Sequence, residues 1–184
     1  MARVENIDQV VEQMLKVRQI RQYKPDPVPE DVLDQLLEVA RWTGSSRNTQ
    51  PWHFIVVDAK QKLFDLSRVR DAINWVADAP LAIALVFQKK DSPQEPYDEG
   101  RVTERLLIAS HMMGLGAGTA WYGDDSQQAK GKEILGVPQE MSARSLVTIG
   151  YRVTVKDPRG NYNTPGRKPL SEIVSYNAYG QQTR

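Results

Sequence analysis

Two groups of basic residues, one near each end of the chain, are the side chains best suited to binding a charged ligand. Lys16, Arg18 and Arg21 stand near the amino terminus, and Arg167 and Lys168 stand near the carboxyl terminus. The planar guanidinium of arginine matches the oxygens of a phosphate monoester. If the fold brings the two groups together they form a phosphate site, and otherwise they are ordinary solvated charges at helix ends.

A polar loop at residues 43–52 is the second candidate site, because it carries many donors and acceptors between a predicted helix and a predicted buried strand. Such a loop can satisfy its own turn, or it can offer hydrogen bonds to a planar heterocycle. Trp42, Trp52 and Trp121 are either core residues or rings that could enclose such a ligand. The loop side chains are Ser45, Ser46, Arg47, Asn48, Thr49 and Gln50.

Several other chemistries are disfavoured by what the sequence lacks. There is no cysteine, and the only histidines, His53 and His111, stand in different predicted elements without metal-ligand spacing. No nucleophile elbow, P-loop or dinucleotide-binding glycine motif is present. The glycine run at residues 114–118 follows a predicted helix and precedes a predicted strand, so it indicates a turn packed closely against another backbone.

Composition narrows the class of protein further. The 184 residues include 24 Lys plus Arg and 23 Asp plus Glu, a formal charge of +1 that argues against a nucleic-acid or membrane-surface binder. Hydrophobic residues make up 40% of the chain, a lean core that suggests burial against another subunit. No apolar run reaches the roughly 18–20 residues needed to span a bilayer. With no signal-peptide pattern, the sequence predicts a cytoplasmic protein.

The hydrophobic periodicity predicts an α+β fold in a single domain over residues 1–184. Residues 88–96 are predicted to be a loop. The tail from about residue 156 to 184 is poor in core residues, so it is either loose or wrapped around a partner. Helices are predicted over residues 7–15, 29–42, 60–66, 71–77, 97–115 and 126–135, and strands over 54–57, 81–87, 117–122 and 145–151.

Several segments, taken in order, resemble motifs of the FMN-dependent nitroreductases. VRQIRQY at residues 17–23 is similar to the family's amino-terminal phosphate motif, and GSSRNTQPWHF at 44–54 is similar to its polar loop. Shorter matches are GLG at 114–116, LGVP at 135–138, IGY at 149–151 and GRKPL at 166–170. Each short motif alone is weak evidence for the family. Together they occur in the same order as in the family, over residues 14–174, and this makes the resemblance specific.

This resemblance implies a central mixed or antiparallel sheet flanked by helices, in an interlocked homodimer with two FMN sites at the subunit interface. Arg18, Gln19 and Arg21 would bind the phosphate or ribityl chain, and Arg167 would close on the phosphate with Lys168 beside it. The remaining residues implied in cofactor binding are Ser45, Ser46 and Asn48 from the other subunit, and Trp121, Tyr122 and Gly123 near flavin N5.

The chain departs from the family pattern at three positions. Val17 stands where many members have arginine, Gln19 stands where they have serine, and Gly44 replaces the usual proline. One cation and one hydroxyl are therefore missing, although glutamine can still donate to a phosphate oxygen. The substrate-covering insert of larger members is reduced here to residues 88–100.

The resemblance implies a ping-pong reaction in which NAD(P)H reduces the flavin and a small organic acceptor, such as a nitroaromatic or a quinone, reoxidises it. The flavin carries the chemistry, so no side chain need act as nucleophile or metal ligand. Three alternatives stay open: a non-catalytic flavin or nucleotide-binding module, flavin-dependent dehalogenation or dehydrogenation on the same fold, and a dimeric interaction protein whose basic tail binds an acidic partner.

Overall fold

A computed structural model describes residues 6–88, 93–153 and 166–183 of the chain. Its residues divide into two units, one ending at Val153 and one starting at Thr154. The helices are α1 Ile7–Lys16, α2 Glu30–Arg41, α3 Lys60–Ser67, α4 Gln94–Met112, α5 Asp125–Leu135 and α6 Leu170–Ile173. The strands are β1 Trp52–Val57, β2 Leu81–Gln88, β3 Gly116–Trp121 and β4 Met141–Gly150, and two short 3-10 helices span Ser46–Asn48 and Asp71–Asp78.

The first unit is built on an antiparallel sheet with strand order β1-β2-β4-β3. Strand β2 is buried from Leu81 to Phe87 because the sheet is covered on both faces, and its run of apolar residues is continuous for the same reason. The register pairs Trp52 with Phe87 and Trp121 with Ser145. The start of β1 and the end of β3 therefore lie at the same end of the sheet but on opposite edges.

Helices cover the two faces of this sheet with separate apolar clusters. On one face α2 and α4 pack through Leu36, Val102 and Leu106, which have no solvent exposure. On the other face α3 and the Asp71–Asp78 helix pack through residues including Leu66 and Val76. This three-layer arrangement confirms the predicted α+β class, and it leaves the strand ends and the edge of β3 for a site.

Four predicted elements differ from the structure in type or by two residues or more. Strand β1 begins at Trp52, two residues before its predicted start. Helix α4 begins at Gln94, not 97, because Pro96 lies in its first turn, where a missing amide costs no helical hydrogen bond. The prediction of a loop through residue 96 was therefore wrong. Strand β4 begins at Met141, four residues before the predicted start. The segment Asp71–Asp78 is a 3-10 helix interrupted at Ile73 and not a regular α-helix.

The second unit contains the short helix α6 and a turn that follows it. The Tyr176 amide donates to the carbonyl of Gln181 at 2.8 Å, which closes the turn. Leu170, Ile173 and Tyr179 are exposed. Arg167 and Lys168 lie in the extended segment that precedes α6, and the first part of the predicted tail, residues 154–165, lies outside the described residues.

Within the described ranges, no helix is long and apolar enough to cross a membrane. The same part of the chain holds no cluster of three or more His, Cys, Asp or Glu side chains placed to bind a metal ion.

Candidate functional site

The segment that follows α1 runs beside β3 in parallel orientation. Gln19 forms a bridge with Ala117, and the Ile20 amide donates to the Ala117 carbonyl at 2.8 Å. The Gln19 side-chain amide donates to the Thr119 carbonyl at 3.1 Å. These bonds place the candidate phosphate residues Arg18, Gln19 and Arg21 along one edge of the sheet. Arg18 also donates through one nitrogen to the carbonyls of Leu15 and Val17, both at 2.7 Å, at the end of α1.

Glycines in β3 make this close approach possible. A Cβ on Gly118 would lie 2.0 Å from the Ile20 carbonyl oxygen, and a Cβ on Gly116 would lie 2.8 Å from the Ile20 side chain. The sequence predicts that the glycine run packs closely against another backbone, and the structure confirms this. The contact is made within a strand and not in the expected turn.

Tyr23 anchors the far end of the same segment. Its hydroxyl donates to the Ile20 carbonyl at 2.7 Å and lies 2.7 Å from the hydroxyl oxygen of Thr148. Thr148 in turn donates to the Gly118 carbonyl at 3.0 Å. Burial raises the pKa of Tyr23 well above its usual value. The phenol therefore stays protonated and fixes the segment to β3 and β4.

The turn after β3 is held rigidly around Gly123. The amide of the fully buried Tyr122 donates to the Arg144 carbonyl at 2.9 Å, so it is used within the sheet. Gly123 is buried with a φ of 118°, and a Cβ there would lie 1.8 Å from Oε1 of Gln127. Its carbonyl accepts from Gln128 at 2.8 Å. The Gly123 amide has no hydrogen-bond partner among the described residues, so it is available to a ligand.

Two arginines stack on tryptophans beside this edge. The Arg21 guanidinium lies 5.5 Å from the ring centre of Trp75, and that of Arg70 lies 5.1 Å from the ring centre of Trp121. The Asp71–Asp78 helix carries Trp75 to β3, so that a Cβ on Gly118 would meet the tip of its ring at 3.2 Å. Such stacking attracts each cation to the ring face. No motif in the sequence marked Arg70 or Trp75.

The polar loop of residues 43–51 precedes β1 and is held from two sides. The Gln50 amide donates to the Ser45 hydroxyl at 2.9 Å, and Arg101 of α4 donates to the Gly44 carbonyl at 3.1 Å. Arg47, Asn48 and Gln50 all have a positive φ, between 47° and 55°. Backbone of this kind in residues other than glycine persists only where the surroundings hold it, and it clusters at ligand-binding sites.

The structure brings only part of the predicted site together within one chain. The edge of β3 carries Arg18, Gln19, Arg21, Trp121, Tyr122 and Gly123. The loop with Ser45, Ser46 and Asn48 leads into β1, which is the opposite edge of the sheet. Three strand spacings, about 14 Å in total, separate those edges. Arg167 and Lys168 belong to the second unit.

A polar cluster that the sequence did not predict lies next to the Gly123 turn, because its central residue, Arg144, accepts the hydrogen bond from the Tyr122 amide. The pairing of β2 with β4 shifts between Leu85 and Val86, which makes Arg144 the extra residue of a β-bulge. Its Nη2 lies 3.0 Å from carboxylate oxygens of both Glu95 and Glu99. The contacts span 45 residues or more, so no local pattern marks them. They fasten the first two turns of α4 to the sheet.

A cavity of about 380 Å³ opens beside this cluster, between α5 and the start of β4. Lys132 in its wall is nearly buried and donates to the Gln139 carbonyl at 2.7 Å. The charged side chains that line it are Glu95, Asp125, Lys132 and Arg144. Two positive and two negative charges balance, so this cavity does not favour an anion as the β3 edge does.

Comparison with known proteins gives the family. A model of the nitroreductase family matches residues 16–95. A curated Archaeoglobus fulgidus protein, named as a candidate NADH dehydrogenase/NAD(P)H nitroreductase, is 30% identical over 148 residues, covering 76% of this chain and 83% of that protein. The solved structure of an FMN-dependent nitroreductase from Clostridium difficile superposes with a TM-score of 0.80 at 28% identity, covering 92% of this chain and 99% of that one. The chain belongs to the nitroreductase family and is an oxidoreductase of that family.

A more distant relative carries a different activity in its name. The iodotyrosine deiodinase of Thermotoga neapolitana is 24% identical over 190 residues, covering 89% of this chain and 95% of that protein. Proteins similar to this chain are therefore named for more than one activity.

Proposed function

We propose that this chain is an FMN-dependent oxidoreductase that takes electrons from NAD(P)H and passes them to a small organic acceptor, such as a nitroaromatic or a quinone. The main support for this proposal is the buried Gly123 turn. Its backbone amide makes no hydrogen bond to the described residues, and it lies at the end of the β3 edge, along which Arg21 and Arg70 are placed. When bound, the flavin would accept hydride at N5 and pass the electrons on. The protein supplies binding and orientation.

The residues along β3 fit the parts of FMN in order. Arg18, Gln19 and Arg21 offer charged and amide donors to the phosphate and ribityl chain. The Gly123 amide offers one donor at the ring end, and the Tyr122 amide does not, because it already bonds to Arg144. Trp121 is half exposed beside it and offers an apolar face. Arg167 and Lys168 are proposed to close on the phosphate.

A second copy of the chain is proposed to complete the site. Ser45, Ser46 and Asn48 lie on the sheet edge opposite Gly123, so a partner is needed to bring their hydroxyl and amide groups to the same ligand. Helix α1 supports this, because Ile7, Val11, Met14 and Leu15 leave between 46% and 70% of their surface exposed. Sedimentation should give a dimer, and a stable monomer with full flavin content would overturn this part of the proposal.

The first experiment is an absorption spectrum of the purified protein, followed by heat release and identification of the chromophore. Flavin bands with about one released FMN per chain are expected. A colourless protein that also fails to take up added FMN would contradict the proposal. Bleaching of the bound flavin by NADH or NADPH distinguishes an enzyme from a non-catalytic binding module.

The kinetic scheme has its own test. If donor and acceptor use the same cavity in turn, double-reciprocal plots at several fixed acceptor concentrations give parallel lines. Intersecting lines would require both to bind together and would exclude the ping-pong scheme.

Reductive dehalogenation is the second candidate, favoured by the similarity to the Thermotoga deiodinase. It is tested by measuring halide release from a halogenated phenol under anaerobic conditions with chemically reduced protein. Halide release at a rate above that of nitro-group reduction would favour dehalogenation over the first proposal.

A further inference from the structure

Arg70 is a cation that the fold holds in place without neutralising it. The side chain is half-buried, and its guanidinium is stacked on the Trp121 ring at 5.1 Å. Within the described ranges it has no ion pair and no side-chain hydrogen bond. Arg41 and Arg144, by contrast, each lie within 3.0 Å of a carboxylate oxygen. All five N–H donors of Arg70 are therefore available to an external acceptor.

Arg70 lies near the end of the proposed flavin site that would hold the ring. A Cβ on Gly123 would lie 3.3 Å from Cδ of Arg70, so the arginine stem packs against the turn that carries the uncommitted amide. Arg21 stacks on Trp75, whose ring tip lies near Gly118. Trp121 is three residues beyond Gly118, about 10 Å farther along the strand. Arg70 is thus set apart from the cations assigned to the FMN phosphate.

Trp121, on which Arg70 rests, has 51% of its surface exposed. A ligand that exchanges during turnover can reach this surface from solvent. Stacking fixes the guanidinium without using its donors, so little ordering is needed when an anion binds. A planar fork of this kind recognises carboxylate or phosphate oxygens in pairs.

We propose that Arg70 is a specificity-determining residue that binds an oxyanion, a carboxylate or a phosphate, carried by a substrate that exchanges at the Gly123 end of the site. This inference rests on the proposed function, since it assigns the substrate class of the same site. The oxyanion belongs either to the electron acceptor or to the phosphates of the reduced nicotinamide, and the experiment separates these sources.

The test compares Arg70→Gln with Arg68→Gln as a matched control. Arg68 is an exposed cation two residues earlier, at the end of α3, so its loss changes the net charge equally. We would measure kcat/KM for 4-nitrobenzoate and for the neutral 4-nitrobenzamide, and for NADPH and NADH. Arg70→Gln should lower kcat/KM about 10- to 100-fold for whichever substrate carries the oxyanion, and it should leave kcat/KM for the neutral acceptor within about twofold.

The pattern of loss identifies the source of the oxyanion. Loss confined to 4-nitrobenzoate assigns it to the acceptor. Loss for both nicotinamides assigns it to their shared pyrophosphate, and loss for NADPH alone assigns it to the extra phosphate. Equal loss for both acceptors without loss for either nicotinamide, or an equal effect of Arg68→Gln, would overturn the proposal.

A binding measurement keeps this inference separate from the proposed function. Benzoate is titrated into the FMN-free protein while tryptophan fluorescence is followed, because Trp121 lies under Arg70. Saturable quenching in the wild type, weakened about tenfold or more in Arg70→Gln but not in Arg68→Gln, is expected. Absence of saturation in both FMN-free and FMN-loaded wild type would overturn the role of Arg70, whatever the protein does with FMN. If Arg70→Gln melts well below the wild type, Arg70→Lys replaces it, since it keeps the charge but loses the fork.

Discussion

The carbonyl oxygen of Ile20 lies 2.0 Å from the point that a Cβ of residue 118 would occupy, so only glycine allows the amino-terminal segment to lie against β3. The same segment carries Arg18, Gln19 and Arg21. One glycine in the strand therefore sets the distance between the candidate phosphate residues and the sheet.

Gly118→Ala should displace this segment, because the obstructing atom belongs to the backbone and cannot rotate away. We expect a loss of about 1–3 kcal/mol in the free energy of unfolding and weaker FMN binding. Gly100→Ala is the control, since a Cβ there has open space within a helix and should be neutral or stabilising. Thermal melting and FMN titration check both variants, and equal behaviour of the two would contradict the role given to Gly118.

Gly123→Ala should weaken FMN binding. The loss of affinity should be larger than any loss in the free energy of unfolding of the variant. The new methyl group would meet the Gln127 side chain at 1.8 Å, in a backbone conformation with φ of 118°. Gly136→Ala is matched to it, because that glycine also has a positive φ but open space around it. We expect FMN binding to fall only in Gly123→Ala. Unchanged binding in that variant would remove the Gly123 turn from the site.

Two buried tyrosines should respond oppositely to loss of the hydroxyl. Tyr23→Phe removes a bond to the Ile20 carbonyl and a contact with Thr148, at a cost of about 1–3 kcal/mol. The Tyr122 hydroxyl is buried with no partner among the described residues, so Tyr122→Phe should be neutral or stabilising. Urea unfolding measures both changes. A large destabilisation by Tyr122→Phe would mean that its hydroxyl is paired.

The same tyrosines predict how stability changes at alkaline pH. Burial raises the pKa of both well above the usual value of about 10. Above pH 10 the unfolded chain releases these protons while the folded chain keeps them, so the free energy of unfolding falls as pH rises. Each tyrosine contributes up to about 1.4 kcal/mol per pH unit. Denaturant midpoints between pH 8 and 11 test this, and Tyr23→Phe should flatten the slope.

Arg167→Ala should weaken FMN binding by about 1.5–3 kcal/mol, through loss of a charge-assisted hydrogen bond to the phosphate. Lys130→Ala removes an exposed positive charge from α5 and serves as the control for net charge. Fluorescence titration with FMN gives both dissociation constants. Unchanged affinity in Arg167→Ala would show that the phosphate is bound without the second unit.

The sequence was sufficient to predict most of the first unit. Runs of apolar residues predicted β2 and the core of β1, and helical periodicity predicted α2 within a residue, because these elements are specified locally. The start of α4 was missed since a proline usually signals a break, yet Pro96 falls in the one turn that tolerates it. The first residues of β4 were missed because polar residues at its start pair with charged residues of α4.

The candidate site was only partly accessible to such reasoning. The family resemblance implied the amino-terminal arginines and Gly123 as site residues, and the structure places both along one edge of the sheet. No motif marks Arg70, because its contact with Trp121 joins residues that are 51 positions apart in the chain. The Arg144 cluster was missed for a similar reason, since a bulge reorients its side chain and no periodic pattern predicts a bulge.

The pairing of residues 19 and 20 with β3 has a practical consequence for handling the protein. An uncovered outer strand with unpaired amides and carbonyls is a template for association between chains. A truncation that removed the first 23 residues would uncover β3 along with its two glycines and would promote aggregation. Expression tags are therefore best placed ahead of α1 with a spacer, and trimming of the amino terminus is best stopped before residue 17.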